Sequence, residues 1–199
     1  VMKSSASEAN ADVRIWLAAA LCADNLTLRR VTFESSSGDE LESVVRGEAV
    51  HSVRTLKELK RRLHHGRRCF ALFHHCLPSE PLAFVHIALM DKLAESMDDI
   101  NSSEIELSSP THALFYSINN PHDSLRGLNL GPMLIRRATE ALLGEFESLR
   151  TLSTLSPVPG FVAWLAKVSV DQGSSFLPAG VEHSLAGARA VWDLERRSG

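Results

Sequence analysis

The 199-residue sequence contains little cysteine, a single tyrosine and almost no excess charge. Three cysteines, an odd number without metal-ligand spacing, argue against a disulfide framework and favour reduced thiols in an intracellular compartment. A net charge of -3 gives no electrostatic case for nucleic-acid binding. No apolar run reaches membrane-spanning length, and charged residues interrupt the first 23 positions, so neither a spanning helix nor a secretory signal is expected.

The chain does contain enough apolar sequence for one sizeable core. It is 44% hydrophobic and 23% charged, which is typical of an ordinary globular domain. Within it, residues 57–68 are strongly basic, and they are interpreted either as a solvated helix face or as a surface that meets a phosphate or a partner. Arg136 and Arg137 are further phosphate candidates, with solvent exposure as the alternative.

Hydrophobic periodicity and turn residues predict alternating helices and strands. Strands 69–74 and 82–89 are expected to form an antiparallel hairpin with a longer loop. Strand 111–118, a loop, helix 131–146 and strand 150–155 form a β-loop-α-β unit. The remaining predicted elements are a leader helix at 12–28, a short strand at 31–33 and helices at 40–46, 55–63 and 91–100.

A glycine-containing loop, with the sequence RGLNLG at residues 126–131, precedes the helix of that unit. Amides at such a helix N-terminus attract phosphate oxygens, although plain turn chemistry is the alternative. The loop resembles the acyl-CoA-binding loop of GCN5-related N-acetyltransferases, whose Arg/Gln-x-x-Gly-x-Gly pattern holds the pyrophosphate of coenzyme A. Arg126 and Gly131 match this pattern, whereas Asn129 stands at its first glycine. The candidate coenzyme A-binding residues are Arg126, Gly127, Leu128, Asn129, Leu130 and Gly131.

A second turn, at residues 153–161, contains two prolines and a glycine. Pro157 and Pro159 must end the preceding strand, because proline fixes φ and lacks an amide donor. Ser156 is therefore left where the strand becomes a turn. A serine in that position either takes part in site chemistry or caps the next helix, and the pattern alone leaves both open.

Seven short sequence blocks stand out along the chain. They are EAVH at 48–51, LKRRL at 59–63, GRRCF at 66–70, EPL at 80–82, FYSI at 115–118, GLNLG at 127–131 and LSPVPGF at 155–161. In the same order, these blocks resemble those of malonyl-CoA decarboxylase. The resemblance implies an α/β fold of the acetyltransferase type, with a mixed central sheet flanked by helices. It also implies an enzyme that removes CO2 from malonyl-CoA to leave acetyl-CoA, with no metal and no organic cofactor, since the coenzyme A thioester is itself the substrate.

The same resemblance implies the catalytic residues. Ser156 corresponds to the catalytic serine of the family, and Ser117 to a second serine at the active site. His183 corresponds to the histidine of the family's Phe-His-x-x-Asn-Gly-Ala block, but the preceding aromatic and the asparagine are absent here. Histidine suits protonation of the α-carbon, because its pKa lies near neutrality. The alternative for His183 is a surface histidine in a Gly/Ala-rich tail.

Domain organisation is inferred from the resemblance as well. Residues 1–29 are expected to form a leader helix left from a helical N-terminal domain, and residues 30–199 a catalytic domain with a shortened C-terminal region. Two other functions stay open: an acyl-CoA acyltransferase on the same fold, and an inactive relative that still binds acyl-CoA. An intracellular protein is expected, cytoplasmic or mitochondrial, with malonyl-CoA and acetyl-CoA as its partners and a homo-oligomer left open.

The remaining histidines are given structural interpretations. The pairs at 64–65 and 74–75 are expected at the surface, and without carboxylate or cysteine partners at ligand spacing they predict no metal site. His86 lies in the middle of a predicted strand, on the face opposite Val85 and Ile87. We therefore expect it to be either hydrogen-bonded or exposed.

Overall fold

The computed structural model describes residues 12–94, 96–102, 109–156, 158, 160–161 and 164, and these contain one five-stranded sheet. Its strands are β1 (Leu26–Val31), β2 (Arg67–His74), β3 (Ala83–Met90), β4 (His112–Asn119) and β5 (Thr151–Thr154). Their order in the sheet follows the chain. Neighbours are antiparallel except for β4 and β5, which are parallel, so the sheet is mixed as expected.

The structure also describes one helix before β1 and others between the strands along the chain. They are α1 (residues 12–20), α2 (Gly38–Gly47), α3 (Leu56–Arg62), α4 (Met97–Ser102) and α5 (Leu130–Glu145). Hydroxyl caps fix two of their N-termini, because Ser37 accepts a hydrogen bond from the Glu40 amide and Thr55 accepts one from the Glu58 amide. The helices α2, α3 and α5 lie close to their predicted positions.

The two faces of the sheet carry separate apolar clusters. Helix α5 packs on one face, while α2, α3 and α4 pack on the other. Burying each large side chain contributes roughly 2 kcal/mol, so the sheet is held from both sides. The predicted α/β class is confirmed. Members of the α5 cluster include Val85, Ile87, Leu134, Ala138 and Leu142, and members of the opposite clusters include Val44, Leu59, Cys69, Phe84, Ala88 and Ile100.

A β-bulge interrupts the pairing of β3 with β4 between His86 and Ile87. Tyr116 packs with the α4 cluster, and the next side chain, Ser117, also faces that side of the sheet, where it meets Glu48. Ile118 returns to the α5 cluster. Two successive side chains of β4 therefore lie on one face, which a regular strand would not allow.

Three predicted boundaries are wrong. The helix expected at 12–28 ends at residue 20, and the strand expected at 31–33 begins at Leu26. Pairing of the whole of β1 with residues 69–74 of β2 and packing of Leu26 against the α5 cluster outweigh the helical periodicity. The helix expected at 91–100 begins at Met97, because Ser96 and Asp99 exchange amide-to-side-chain hydrogen bonds in a capping arrangement.

The chain divides into two compact units, and the unit that holds the sheet ends at Ser156. In the second unit, the rings of Phe161 and Trp164 lie 5.9 Å apart between centroids. All three cysteines are free thiols, and Cys69 is buried. Among the helices that the structure describes, none has both the length and the apolar character needed to cross a membrane.

Candidate active site

A buried carboxylate organises the polar groups at the end of β4. Glu48 directly follows α2, and its side chain is fully buried. Its Oε1 accepts hydrogen bonds from the Val50 and His51 amides, each at 2.9 Å. The Ser117 hydroxyl lies 2.8 Å from each carboxylate oxygen. Three donors therefore converge on this one side chain.

Asn119 ties the same strand to the segment that follows α2. Its Nδ2 donates to the Ser117 hydroxyl at 2.8 Å, and its Oδ1 accepts from the Ala49 amide at 3.0 Å. Ser117 is thus an acceptor for Asn119 and a donor to Glu48, with only 1% of its surface exposed. The hydroxyl is oriented from both sides by buried neighbours.

Two basic side chains face the carboxylate. Arg62 Nη1 lies 3.6 Å and His86 Nε2 lies 3.4 Å from Glu48 Oε2. Arg62 Nη1 and both ring nitrogens of His86 have no hydrogen-bond partner among the described residues. The Arg62 guanidinium therefore balances the negative charge of Glu48 because it lies close to the carboxylate, without a hydrogen bond from Nη1.

The protonation states follow from burial. Burial lowers the pKa of His86 to about 4, although the neighbouring Glu48 charge works against that shift. Burial alone would raise the pKa of Glu48, but hydrogen bonds from the His51 and Val50 amides and from the Ser117 hydroxyl hold it below its ordinary value. Near neutral pH the site therefore contains a carboxylate, a guanidinium and a neutral imidazole.

Ser156 lies at a different kind of position. The parallel ladder ends with the pair Phe115–Thr154 and a 2.9 Å hydrogen bond from the Leu155 amide to the Phe115 carbonyl. Strand β4 continues to Asn119, beyond this last bond to β5. Ser156 comes next in the chain and is exposed. An accessible hydroxyl thus lies where the two parallel strands part.

The glycine-containing loop enters α5 through two left-handed residues. Gly127 has φ of 82°, and Asn129, the N-cap of α5, has φ of 57°. Glycine and asparagine adopt this conformation most readily, which explains why asparagine can stand at the first glycine of the pattern. Because the first amides of a helix have no intrahelical partner, those after Asn129 are available to an anion.

The arginines near this loop have different hydrogen-bond and ion-pair partners. Arg126 is exposed and pairs with Asp123 at 2.8 Å. Arg137 donates instead to the carbonyls of Leu26 and Ala23 at 2.7 and 2.6 Å, so it fixes the start of β1. Arg136 pairs with Glu140 on the exposed face of α5.

The structure brings the sequence-predicted residues together only in part. Ser117 belongs to the buried polar group, Ser156 is exposed, and no hydrogen bond joins the two among the described residues. His183 lies outside the described residues. Sequence reasoning gave no role to Glu48 or Asn119. The signal for Glu48 was its place in the EAVH block, immediately after a predicted helix.

The prediction for His86 is confirmed only for the face of the strand on which it lies. It does face away from Val85 and Ile87, since those two pack in the α5 cluster. It is fully buried, so the exposed alternative is wrong, and it makes no hydrogen bond among the residues described. Ring stacking against Tyr116, at 6.0 Å between centroids, accounts for its packing.

Comparisons with known proteins agree with this architecture. The family described as malonyl-CoA decarboxylase C-terminal domain matches residues 24–194. Mitochondrial malonyl-CoA decarboxylases of the goose Anser anser anser and of Rattus norvegicus are 39% identical over 145 residues and 35% identical over 156 residues. These matches cover 70% and 76% of this chain, which spans 29% and 32% of the relatives' length.

Solved structures agree as well. Malonyl-CoA decarboxylase from Agrobacterium vitis superimposes with a TM-score of 0.75 at 35% identity, covering 85% of this chain and 42% of that one. The enzyme from Rhodopseudomonas palustris gives a TM-score of 0.73 at 31% identity, covering 90% of this chain and 44% of that one. The family match extends over most of the chain, and the chain therefore belongs to the malonyl-CoA decarboxylase family.

Proposed function

We propose that this chain decarboxylates malonyl-CoA to acetyl-CoA and CO2, with Ser156 at the reacting thioester. The observation that carries the proposal is the exposed Ser156 hydroxyl directly after the last hydrogen bond between β4 and β5. An accessible donor at the parting of two strands suits a small acyl group inserted there. Membership of the family supports the same reaction.

The proposed chemistry needs a donor for developing negative charge. When the bond between the α-carbon and the carboxylate breaks, its electron pair becomes an enolate whose charge lies mainly on the thioester oxygen. A donor aimed at that oxygen stabilises the transition state by roughly 3 kcal/mol, or a hundredfold or more in rate. Ser156 fills this role, and His183 then delivers a proton to the α-carbon. No metal or organic cofactor takes part.

Ser117 has a supporting role in this proposal. Its proton is already donated to Glu48, and its oxygen already accepts from Asn119. Acting on a substrate would require it to leave both partners. We therefore assign Ser117 and Glu48 to holding the free end of β4 in place beside the reacting group.

Coenzyme A is proposed to bind through the loop of residues 126–131. The pyrophosphate would meet the first amides of α5, and the exposed Arg126 side chain would exchange Asp123 for a phosphate oxygen. The left-handed residues Gly127 and Asn129 turn the backbone into the helix at this point. Malonyl-CoA is thus the proposed partner, in a catalytic domain that follows the leader helix. An intracellular location is proposed too, since the two curated relatives are named as mitochondrial.

The reaction in D2O distinguishes this proposal from its alternatives. Decarboxylation yields acetyl-CoA with deuterium delivered to the new methyl group, and it releases no free coenzyme A. An acyltransferase would release free coenzyme A and an acylated acceptor, while an inactive relative would bind malonyl-CoA without any product. Mass spectrometry of the products, corrected for exchange without enzyme, separates the three results. Only the first supports the proposal.

A further inference from the structure

The basic segment at residues 57–68 lines two adjoining cavities on the face of the sheet opposite α5. Their volumes are about 380 Å³ and about 500 Å³. Arg61, Arg67 and Glu58 line both. Pockets of this size are typical of small-molecule sites. The segment is therefore more than a solvated helix face.

Positive charge predominates in the lining. Four arginines and His51 face the first cavity, and two lysines and His64 are added in the second. Among the described residues of the lining, the single carboxylate is Glu58, which already accepts from the Arg54 amide at 3.0 Å and pairs with Arg62 at 3.4 Å. The cationic residues of the two cavities are Arg54, Lys57, Lys60, Arg61, Arg62 and Arg67.

Part of this charge is buried and fixed in position. Arg67 is 5% exposed and donates to the carbonyls of Gly66 and Ile100. Arg62 is 8% exposed, and its Nη1 has no hydrogen-bond partner among the described residues. Burial lowers the pKa of Arg67, Tyr116 opposes that shift, and the like charge of Arg61 adds to it. A bound anion would offset both the burial and the repulsion.

Part of the lining of the first cavity is suited to an organic group. Tyr116 and His51 present aromatic rings 6.1 Å apart, and Met97 and Ile100 add apolar surface. Burial raises the pKa of Tyr116 to about 12, so its phenol is a neutral donor near pH 7. The first cavity thus combines flat and apolar surfaces with fixed guanidinium groups.

We propose that these cavities form a binding site for a phosphate-bearing small molecule, separate from the loop at residues 126–131. Guanidinium groups bind phosphate through paired N–H donors, and lysines add charge, so the phosphate lies toward Arg61, Lys57 and Lys60. The organic part lies against Tyr116 and His51. A free phosphate ion and the nucleotide portion of coenzyme A share this chemistry.

Calorimetric titration of the full chain tests the site. The probes are adenosine 3′,5′-bisphosphate, inorganic phosphate and, as a dianion without phosphorus, malonate. Arg61→Gln and the double variant Lys57→Gln/Lys60→Gln alter exposed positions of the cavities, and Arg136→Gln is the matched control on α5. Far-ultraviolet circular dichroism and thermal unfolding establish that each variant is folded.

We expect a phosphate probe to bind saturably to the parent chain. Its affinity should fall about tenfold or more in the cavity variants, which is the loss expected for a charge-assisted hydrogen bond. The affinity should be unchanged in the control. Tighter binding of the bisphosphate assigns the site to a nucleotide, and equal affinity assigns it to phosphate itself. The proposal is overturned if no phosphate probe saturates, if malonate binds equally well, or if binding is lost in Arg126→Gln and retained in the cavity variants. Turnover is not measured, so failure here is distinct from failure of the decarboxylase proposal.

Discussion

The Ser117 hydroxyl lies 2.8 Å from both carboxylate oxygens of Glu48, although 69 positions separate the two residues in the chain. The β-bulge in β4 makes this contact, because it turns Ser117 to the same face of the sheet as Tyr116. One hydrogen-bonded pair therefore joins the segment after α2 to the strand beside which Ser156 lies.

Replacing Glu48 with glutamine should strongly destabilise the fold. The change removes the buried charge that faces the Arg62 guanidinium, and with the glutamine carbonyl kept on the Val50 and His51 amides it places an NH2 donor against Arg62 Nη1. Breaking such a buried pair typically costs about 3 kcal/mol or more. Urea unfolding measures the loss in free energy of unfolding. The control is Glu140→Gln, at an exposed ion pair on α5, whose free energy of unfolding should change by less than about 0.5 kcal/mol. Equal effects in the two variants would contradict this account.

Acidification should destabilise the protein through His86. Its pKa is about 4 in the folded state, against roughly 6.5 for a free histidine. Between these values the unfolded chain binds a proton that the folded chain does not, so the free energy of unfolding falls as the pH falls, by about 3 kcal/mol over the interval. The lowered pKa of Glu48 adds a loss of the same sign at still lower pH.

Unfolding of the His86→Gln variant, measured as a function of pH, tests whether His86 causes this loss of stability. The variant lacks the titrating group, so its stability should depend less on pH between about 6.5 and 4. His75→Gln, at an exposed position, serves as the control and should keep the parent's dependence. An unchanged pH dependence in His86→Gln would assign the effect to other groups.

The effect of substituting Asn129 on stability should depend on the backbone conformation at that position. Its φ of 57° is left-handed, so Asn129→Ala should destabilise the protein by about 1 kcal/mol, while Asn129→Gly should be close to neutral. Gly131 has no positive φ, and an added Cβ there would meet nothing within 4 Å. Gly131→Ala should therefore stabilise α5 by up to about 1 kcal/mol. Thermal unfolding of the three variants tests this order of stabilities. Equal tolerance of alanine at both positions would contradict it.

Substitutions of the two serines should separate structure from turnover. Ser117→Ala removes a buried donor and an acceptor, so it should lower the free energy of unfolding by about 1–3 kcal/mol. Ser156 is exposed, so its alanine variant should leave stability nearly unchanged. Parallel unfolding and activity measurements decide the roles. Loss of turnover in Ser117→Ala without loss of stability would mean that Ser117 acts on the substrate directly.

Local sequence was sufficient to predict the hairpin of β2 and β3 and the positions of α2, α3 and α5. These features depend on caps, turn residues and periodic apolar positions, all of which are local. The start of β1 was missed because pairing with β2, which lies about forty positions further along, determines it.

The polar group around Glu48 was missed for a similar reason. Glu48, Arg62, His86 and Ser117 come from four separate segments, and the bulge that turns Ser117 toward Glu48 has no sequence signature. Ser156 was found from the prolines that follow it and from the family resemblance. The left-handed conformation at Asn129 explains its departure from the glycine pattern, which sequence alone had left as a mismatch.

The central claim is decarboxylation at Ser156, and the most direct test is CO2 release and acetyl-CoA formation from malonyl-CoA by the purified chain. Ser156→Ala is compared with Ser153→Ala, a matched control in β5, while malonyl-CoA binding is followed in parallel. The account predicts turnover in the parent and in Ser153→Ala, and a hundredfold or greater loss, roughly the effect of one oxyanion donor, in Ser156→Ala with binding retained. Binding without turnover in the parent, or full turnover in Ser156→Ala, would contradict it.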